Sequence, residues 1–362
     1  MNNNSSIYYY VTPLTPYLIC NHYISHEIHR PENKPFRLSY NSQDSRKFNK
    51  KSRDLVLWDK KKNNFNQSAP DWSSLLQKYD KMPTIWVGVN LPIKANDLIK
   101  NKNYNNIKNY DIIQIQVNLF DFFYYEVLPF LNMKHIKVII ITSQEHMPQL
   151  QRNSKTDNLL NNSSILLWIS QNPIYTNNEK YMAFPYGLSH HTVNEYGNFI
   201  HSNNINIDKQ NKIINQRSNP HYHLPHNHIR KTYDIFGKNS GESLNYNDFL
   251  TNILNNEFVI STTGDRDDCH RHYECIGLNA IPISNINHNY KDIFEDNMIY
   301  SNAEEMVEMV NNNIVQYNYK KPNINIVTIS YWMNKINNKI QLIRPSAQVN
   351  NVNNLKIMKF QG

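Results

Sequence analysis

The sequence predicts an α/β protein built in two units, and three observations lead there. First, short β-rich apolar runs at 84–89, 112–117, 136–142 and 165–169 alternate with stretches of helical spacing. That texture is the mark of buried strands in a largely parallel sheet, joined by helical crossovers. Second, a polar, Asn- and His-rich stretch at 198–230 separates this block from another of the same texture. Third, residues 258–284 read as strand, glycine-containing turn, helix and strand in succession. A chain of 362 residues exceeds one ordinary domain and suits two. The expected organisation is an irregular N-terminal segment at 1–80, packed on or extending a first domain at 81–197. A second domain at 198–345 and a tail at 346–362 complete it.

Each element has its own warrant. The run Thr84-Ile85-Trp86-Val87-Gly88-Val89 is short and β-rich, so it reads as a buried strand, as does 112–117. Apolar residues recur at helical spacing over 119–133, where Pro129 interrupts late because it lacks the backbone N–H a helix needs. A near-continuous apolar strand follows at 136–142, another at 165–169, and the last strand of the unit falls near 182. In the second unit, 246–254 reads as a helix and 258–261 as a buried strand. A turn at 262–267 then leads into a helix over about 269–278, with Asp268 as its expected N-cap. Strands at 280–283 and 298–300 come next. Asn302 or Ser301 caps a helix from Ala303, with Glu304 and Glu305 in the first turn, where the helix dipole favours negative charge. A final helix spans about 329–343, and no internal repeat is seen.

Composition narrows the function classes. Charged residues are only 19% against 40% hydrophobic, which argues against charge-driven disorder. The net charge of +8 attracts anions. Its densest cluster, Arg46, Lys47, Lys50 and Lys51 with Lys60, Lys61 and Lys62 nearby, reads as a solvated surface. No nucleic-acid-binding motif accompanies it, so a nucleic-acid partner is not expected. The three cysteines, Cys20, Cys269 and Cys275, form no CxxC pair, which favours a reducing compartment over a disulfide framework. No apolar run approaches a membrane span and the N-terminus lacks the pattern of a signal peptide, so a soluble, cytoplasmic protein with no membrane span is expected.

The chemistry concentrates in the strand–turn–helix–strand at 258–284. Ligands of open α/β sheets bind beyond the carboxyl ends of strands. A helix N-terminus there offers backbone N–H groups to a phosphate. Arg271 and Glu274 are three residues apart and share a helix face. An arginine in a first turn opposes the dipole, so it calls for an anion, and its guanidinium fork matches phosphate oxygens. Glu274, one turn on, can accept hydrogen bonds from ribose hydroxyls. The same two residues also suit an ordinary surface ion pair. Cys269 and Cys275 read as small helix residues that pack, and His270 as a helix-surface residue. The group His221, His223, His226 and His228 matches no standard zinc spacing, and no metal site is expected.

This stretch resembles the donor motif of exostosin-type glycosyltransferases, a GT-B group. Phe258, Ser261, Gly264, Arg271, Glu274 and Ile281-Pro282-Ile283 match the family pattern. Thr262 stands where the family has proline, which puts the shape of the loop in question. Asn279 replaces a small residue, often glycine, and tolerates the left-handed conformation that ends a helix. Upstream, 168–172 and 180–188 resemble the segment that closes the first domain with a Pro-x-Gly turn. Arg230 resembles a basic residue that precedes the motif and can reach the phosphates.

The resemblance implies a GT-B-like fold, two Rossmann-like domains with a cleft between them. It implies transfer of a sugar from a UDP- or GDP-type nucleotide sugar to a hydroxyl of a glycan or glycoprotein. GT-B enzymes generally stabilise the leaving group with Arg, Lys and helix dipoles in place of a metal, so no cofactor is expected. The expected donor-binding residues are Arg230, Gly264, Asp265, Arg266, Arg271, His272 and Glu274. An inverting enzyme also needs a general base from the first domain; Glu145 is the candidate, with Asp121 and His146 in comparable positions. Two alternatives stay open: a nucleotide-binding module that has lost catalysis, and a basic nucleic-acid-binding protein.

Overall fold

Strands β1 (Trp86–Val87), β2 (Ile112–Gln116), β3 (Val138–Ser143), β4 (Ile165–Ser170) and β5 (Tyr181–Ala183) lie side by side in chain order, every neighbouring pair parallel. A second parallel sheet holds β6 (Gln210–Asn215), β7 (Asn256–Ile260), β8 (Ile281–Ser284) and β9 (Ile299–Tyr300), again in chain order. These features come from a computed structural model that describes residues 10–13, 15–16, 86–87, 107–117, 120–143, 150–189, 192–215, 235–236, 244–264, 266–315 and 319–343. The protein is therefore α/β with two parallel sheets, as the alternating texture predicts. Among the described strands the order never reverses, so neither sheet shows a topological switch point.

Sequential order fixes where the crossovers go. Right-handed connections between successive parallel strands return on one side of the sheet. The crossover from β2 to β3 runs through α1 (Phe120–Phe122), a π-helical turn (Phe123–Val127) and α2 (Leu128–Met133), and that from β3 to β4 contains α3 (Ser154–Asn161). Phe123, Val127, Leu131, Leu159 and Leu160 pack on Ile113, Ile140 and Trp168 of that face. The π turn ends just before Pro129, which has no N–H to donate and whose ring crowds the carbonyl one turn back, so the ladder widens there.

On the opposite face, Ile139, Ile141, Leu167 and Ile169 belong to one apolar cluster with Val259 of β7, Ile276, Trp332, Ile336 and Ile340. The core is thus continuous from the first sheet into the second. A third cluster covers the far face of the second sheet, where Phe258, Ile260, Ile281 and Ile283 meet Met306 and Met309.

Of the polar stretch at 198–230, residues 198–215 hold ordered elements, and 216–230 lie outside the described residues. α4 (Val193–Ser202) buries Val193, Tyr196 and Phe199 at helical spacing, and β6 pairs with β7. The expected boundary at 197/198 falls inside α4. Only Ile213 and Ile214 of β6 are buried, so the strand leaves little apolar signal in a polar context.

α5 (Tyr246–Asn255) precedes β7, and α6 (His270–Gly277) precedes β8. Asn279, left-handed at φ 57°, ends the α6 region as expected of an asparagine there. After β8 the chain passes through α7 (Lys291–Phe294) to β9. Asn302 caps α8 (Ala303–Asn312) in a reciprocal box with Glu305.

The final helix, α9 (Ile329–Ile343), returns to the first sheet, where Trp332 packs against Phe184 with ring centroids 5.7 Å apart. Tyr10 and Val11 join the same seam, Tyr10 through an antiparallel bridge to Thr328. Val11 N–H donates to Val327 O at 2.8 Å, and Val11 O accepts from Leu188 N–H at 2.8 Å. Gly187, at φ 85°, is required here, since a Cβ would run into the Val11 carbonyl. No described helix is long and apolar enough to cross a membrane.

Candidate functional site

The loop from β7 to α6 is tied down before any ligand is considered. Ser261 N–H extends the ladder to Ile283 O at 2.9 Å. Thr263 donates from its backbone N–H (3.0 Å) and its hydroxyl (3.2 Å) to Asn285 Oδ1. Gly264 N–H donates to Arg266 O at 3.0 Å. Thr262 is buried in this loop.

Cys269, not Asp268, is the N-cap of α6. His272 Nδ1 accepts from the Cys269 N–H at 2.9 Å, the third-position half of a capping box. An Nδ1 that accepts leaves the proton on Nε2, which donates towards Ser261 O at 2.9 Å and lies 2.8 Å from Ser284 Oγ. His272 has no exposed surface. Expected as a donor contact, it instead joins the ends of β7 and β8 to the start of the helix.

Asp268 lies one residue before the cap, with no exposed surface. Its Oδ2 accepts from the Tyr273 hydroxyl at 2.7 Å and from the Tyr186 N–H at 3.0 Å. Arg266, itself buried, places its guanidinium 3.6 Å from Asp268 Oδ1 and 3.3 Å over the Tyr186 ring. Burial, and then the Asp268 carboxylate, raises the Tyr273 phenol well above its ordinary range. His270 does not simply face solvent as its helix position suggested: its ring stacks on Tyr186, and Nδ1 lies 2.7 Å from Gly187 O. The Pro185-Tyr186-Gly187 turn that closes the first sheet is therefore clasped by the loop that opens α6.

Arg271 and Glu274 face a different neighbour. Arg271 lies over the Phe249 ring at 5.4 Å, and Glu274 Oε1 accepts from the Tyr246 hydroxyl at 2.8 Å. Both aromatic residues belong to α5, where they stack at 5.9 Å. The shared helix face expected from the spacing is present and points at α5. Glu274 is only 6% exposed, so it is not half of a solvated surface pair. Burial pushes its carboxyl pKa up, against the Tyr246 hydrogen bond and the Arg271 charge, which pull it down.

The described site residues thus fall in three places around α6. Arg266 faces the Tyr186 turn, Arg271 and Glu274 face α5, and His272 is buried between the strand ends. Glu145, Arg230 and Asp265, together with His146 and the histidines at 221–228, lie outside the described residues. Asp121 sits in the crossover from β2 to β3, in an exposed ion pair with Lys155 at 2.8 Å. The sequence reading missed the clasp made by Asp268, Tyr273 and Tyr186. It also missed the Cys269–His272 cap, whose three-residue spacing was a visible signal. No protein-family model matches the chain, and no curated protein matches it.

Proposed function

We propose that the chain is a GT-B-like glycosyltransferase. In this reading it holds a UDP- or GDP-type nucleotide sugar at the start of α6 and passes the sugar to a hydroxyl of a glycan or glycoprotein. The carrying observation is a first-turn arginine and, one turn on, a buried glutamate on one face of the helix that follows β7. A guanidinium beside a helix N-terminus suits the charge that develops on a departing diphosphate. Glu274, fixed by Tyr246, suits the hydroxyls of a ribose. Asp268 and His272 act here as positioning residues that set the entry of the helix. The reaction needs no metal in this reading, and its base is proposed at Glu145.

Thermal shift with UDP, GDP and their sugar conjugates tests the donor site, because a ligand that binds only the folded state raises apparent stability. At least one nucleotide is expected to raise the melting temperature of the wild type. In Arg271→Ala that rise disappears, while the unliganded protein melts close to the wild type. If no nucleotide raises the melting temperature, or Arg271→Ala keeps the full response, the donor reading is wrong.

A further inference from the structure

Beside β9, in the second sheet and two strands over from the loop after β7, lies an open groove of about 610 Å³. Lys291, Glu295, Asp296, Tyr300, Tyr319 and Lys320 line it, over a floor that includes Met298 and Ile299. Its volume falls within the range of about 300–1,000 Å³ common for small-molecule sites. We propose that this groove binds a neutral oligosaccharide. The inference does not depend on the donor reading.

Two observations favour that ligand class. The first is a lining of mixed charge. Two lysines and two carboxylates line the groove, and Lys320 already pairs with Asp296 at 2.9 Å. A lining of both signs offers hydroxyl groups donors and acceptors together, since they bond to ammonium and carboxylate alike.

The second is aromatic surface held in place. Tyr319 meets Phe258 edge-on at 4.8 Å and 90°, yet keeps 44% of its surface open. Tyr300 is held by Lys291 over its ring at 5.3 Å and by a hydrogen bond from its hydroxyl to Glu295 O at 3.2 Å. The partly open Tyr319 ring, already held by Phe258, offers apolar contact to the C–H side of a pyranose at little cost in ordering.

Titration calorimetry with cellotriose, maltotriose, mannotriose and chitotriose tests the proposal on the full chain. At least one is expected to bind the wild type. Its affinity falls about tenfold or more in Tyr319→Ala, the loss of about 1.4 kcal/mol, while any response to UDP or GDP is unchanged. Asp296→Asn and Lys320→Gln, both at exposed positions, keep the test decisive should Tyr319→Ala fold poorly, and each is expected to weaken the same ligand. Absence of binding by all four trisaccharides would overturn the proposal. So would binding that survives all three substitutions, or preferential capture of heparin over the neutral panel.

Discussion

Asp268 shows how much one side chain can organise. It has no exposed surface, yet it is the shared acceptor for Tyr273 and for the backbone of Tyr186, and the counter-charge of buried Arg266. Removing one member of a buried charge pair leaves the other uncompensated, which typically costs about 3–5 kcal/mol. Asp268→Ala is therefore expected to lose stability of that order in urea unfolding. The double variant Asp268→Ala with Arg266→Met is expected to regain part of the loss, because the stranded charge is gone. A loss below about 1 kcal/mol for the single variant would show that the clasp is not a stabilising contact. Arg271 and Glu274 were legible in the sequence as two residues on one helix face. Their actual neighbours, Phe249 and Tyr246, were not, since the packing of one helix on another is a long-range fact that spacing within α6 does not encode.

Among the elements, those with their own apolar runs were legible. β2, β3, β4, β7 and β8 were each foreseen, as was α9, because buried parallel strands and amphipathic helices leave strong patterns. β6 was not, since its hydrogen bonds come from β7 and its side chains are largely exposed. The residue that leads into β6 also governs the end of α5. Lys209 Nζ donates to the carbonyls of Leu254 and, at 3.4 Å, Ile253, so it caps the helix C-terminus. Burial pushes its pKa down from 10.5 to about 8. Between those two values the unfolded chain holds a proton that the folded protein has released, so stability rises with pH across that window and declines as pH falls through about 8. Urea unfolding from pH 7.5 to 10.5 is expected to show this rising limb in the wild type and a flatter one in Lys209→Met. Identical slopes would mean that Lys209 is not the titrating group.

At the scale of the whole molecule, two parallel sheets share one apolar core, closed by α9 and the residues around Val11. The two parallel sheets were readable from the alternating apolar texture, whereas the seam was not, because it joins residues from opposite ends of the chain. That seam meets the loop ahead of α6 at Tyr186 and Gly187, so the first sheet helps to shape the proposed donor site. The most direct measurement is a crystal structure grown with saturating UDP or GDP. The donor reading predicts the diphosphate within hydrogen-bonding reach of the Arg271 guanidinium at the start of α6, with a ribose hydroxyl on Glu274. A nucleotide bound elsewhere, or none bound with α6 open to the solution, would contradict it.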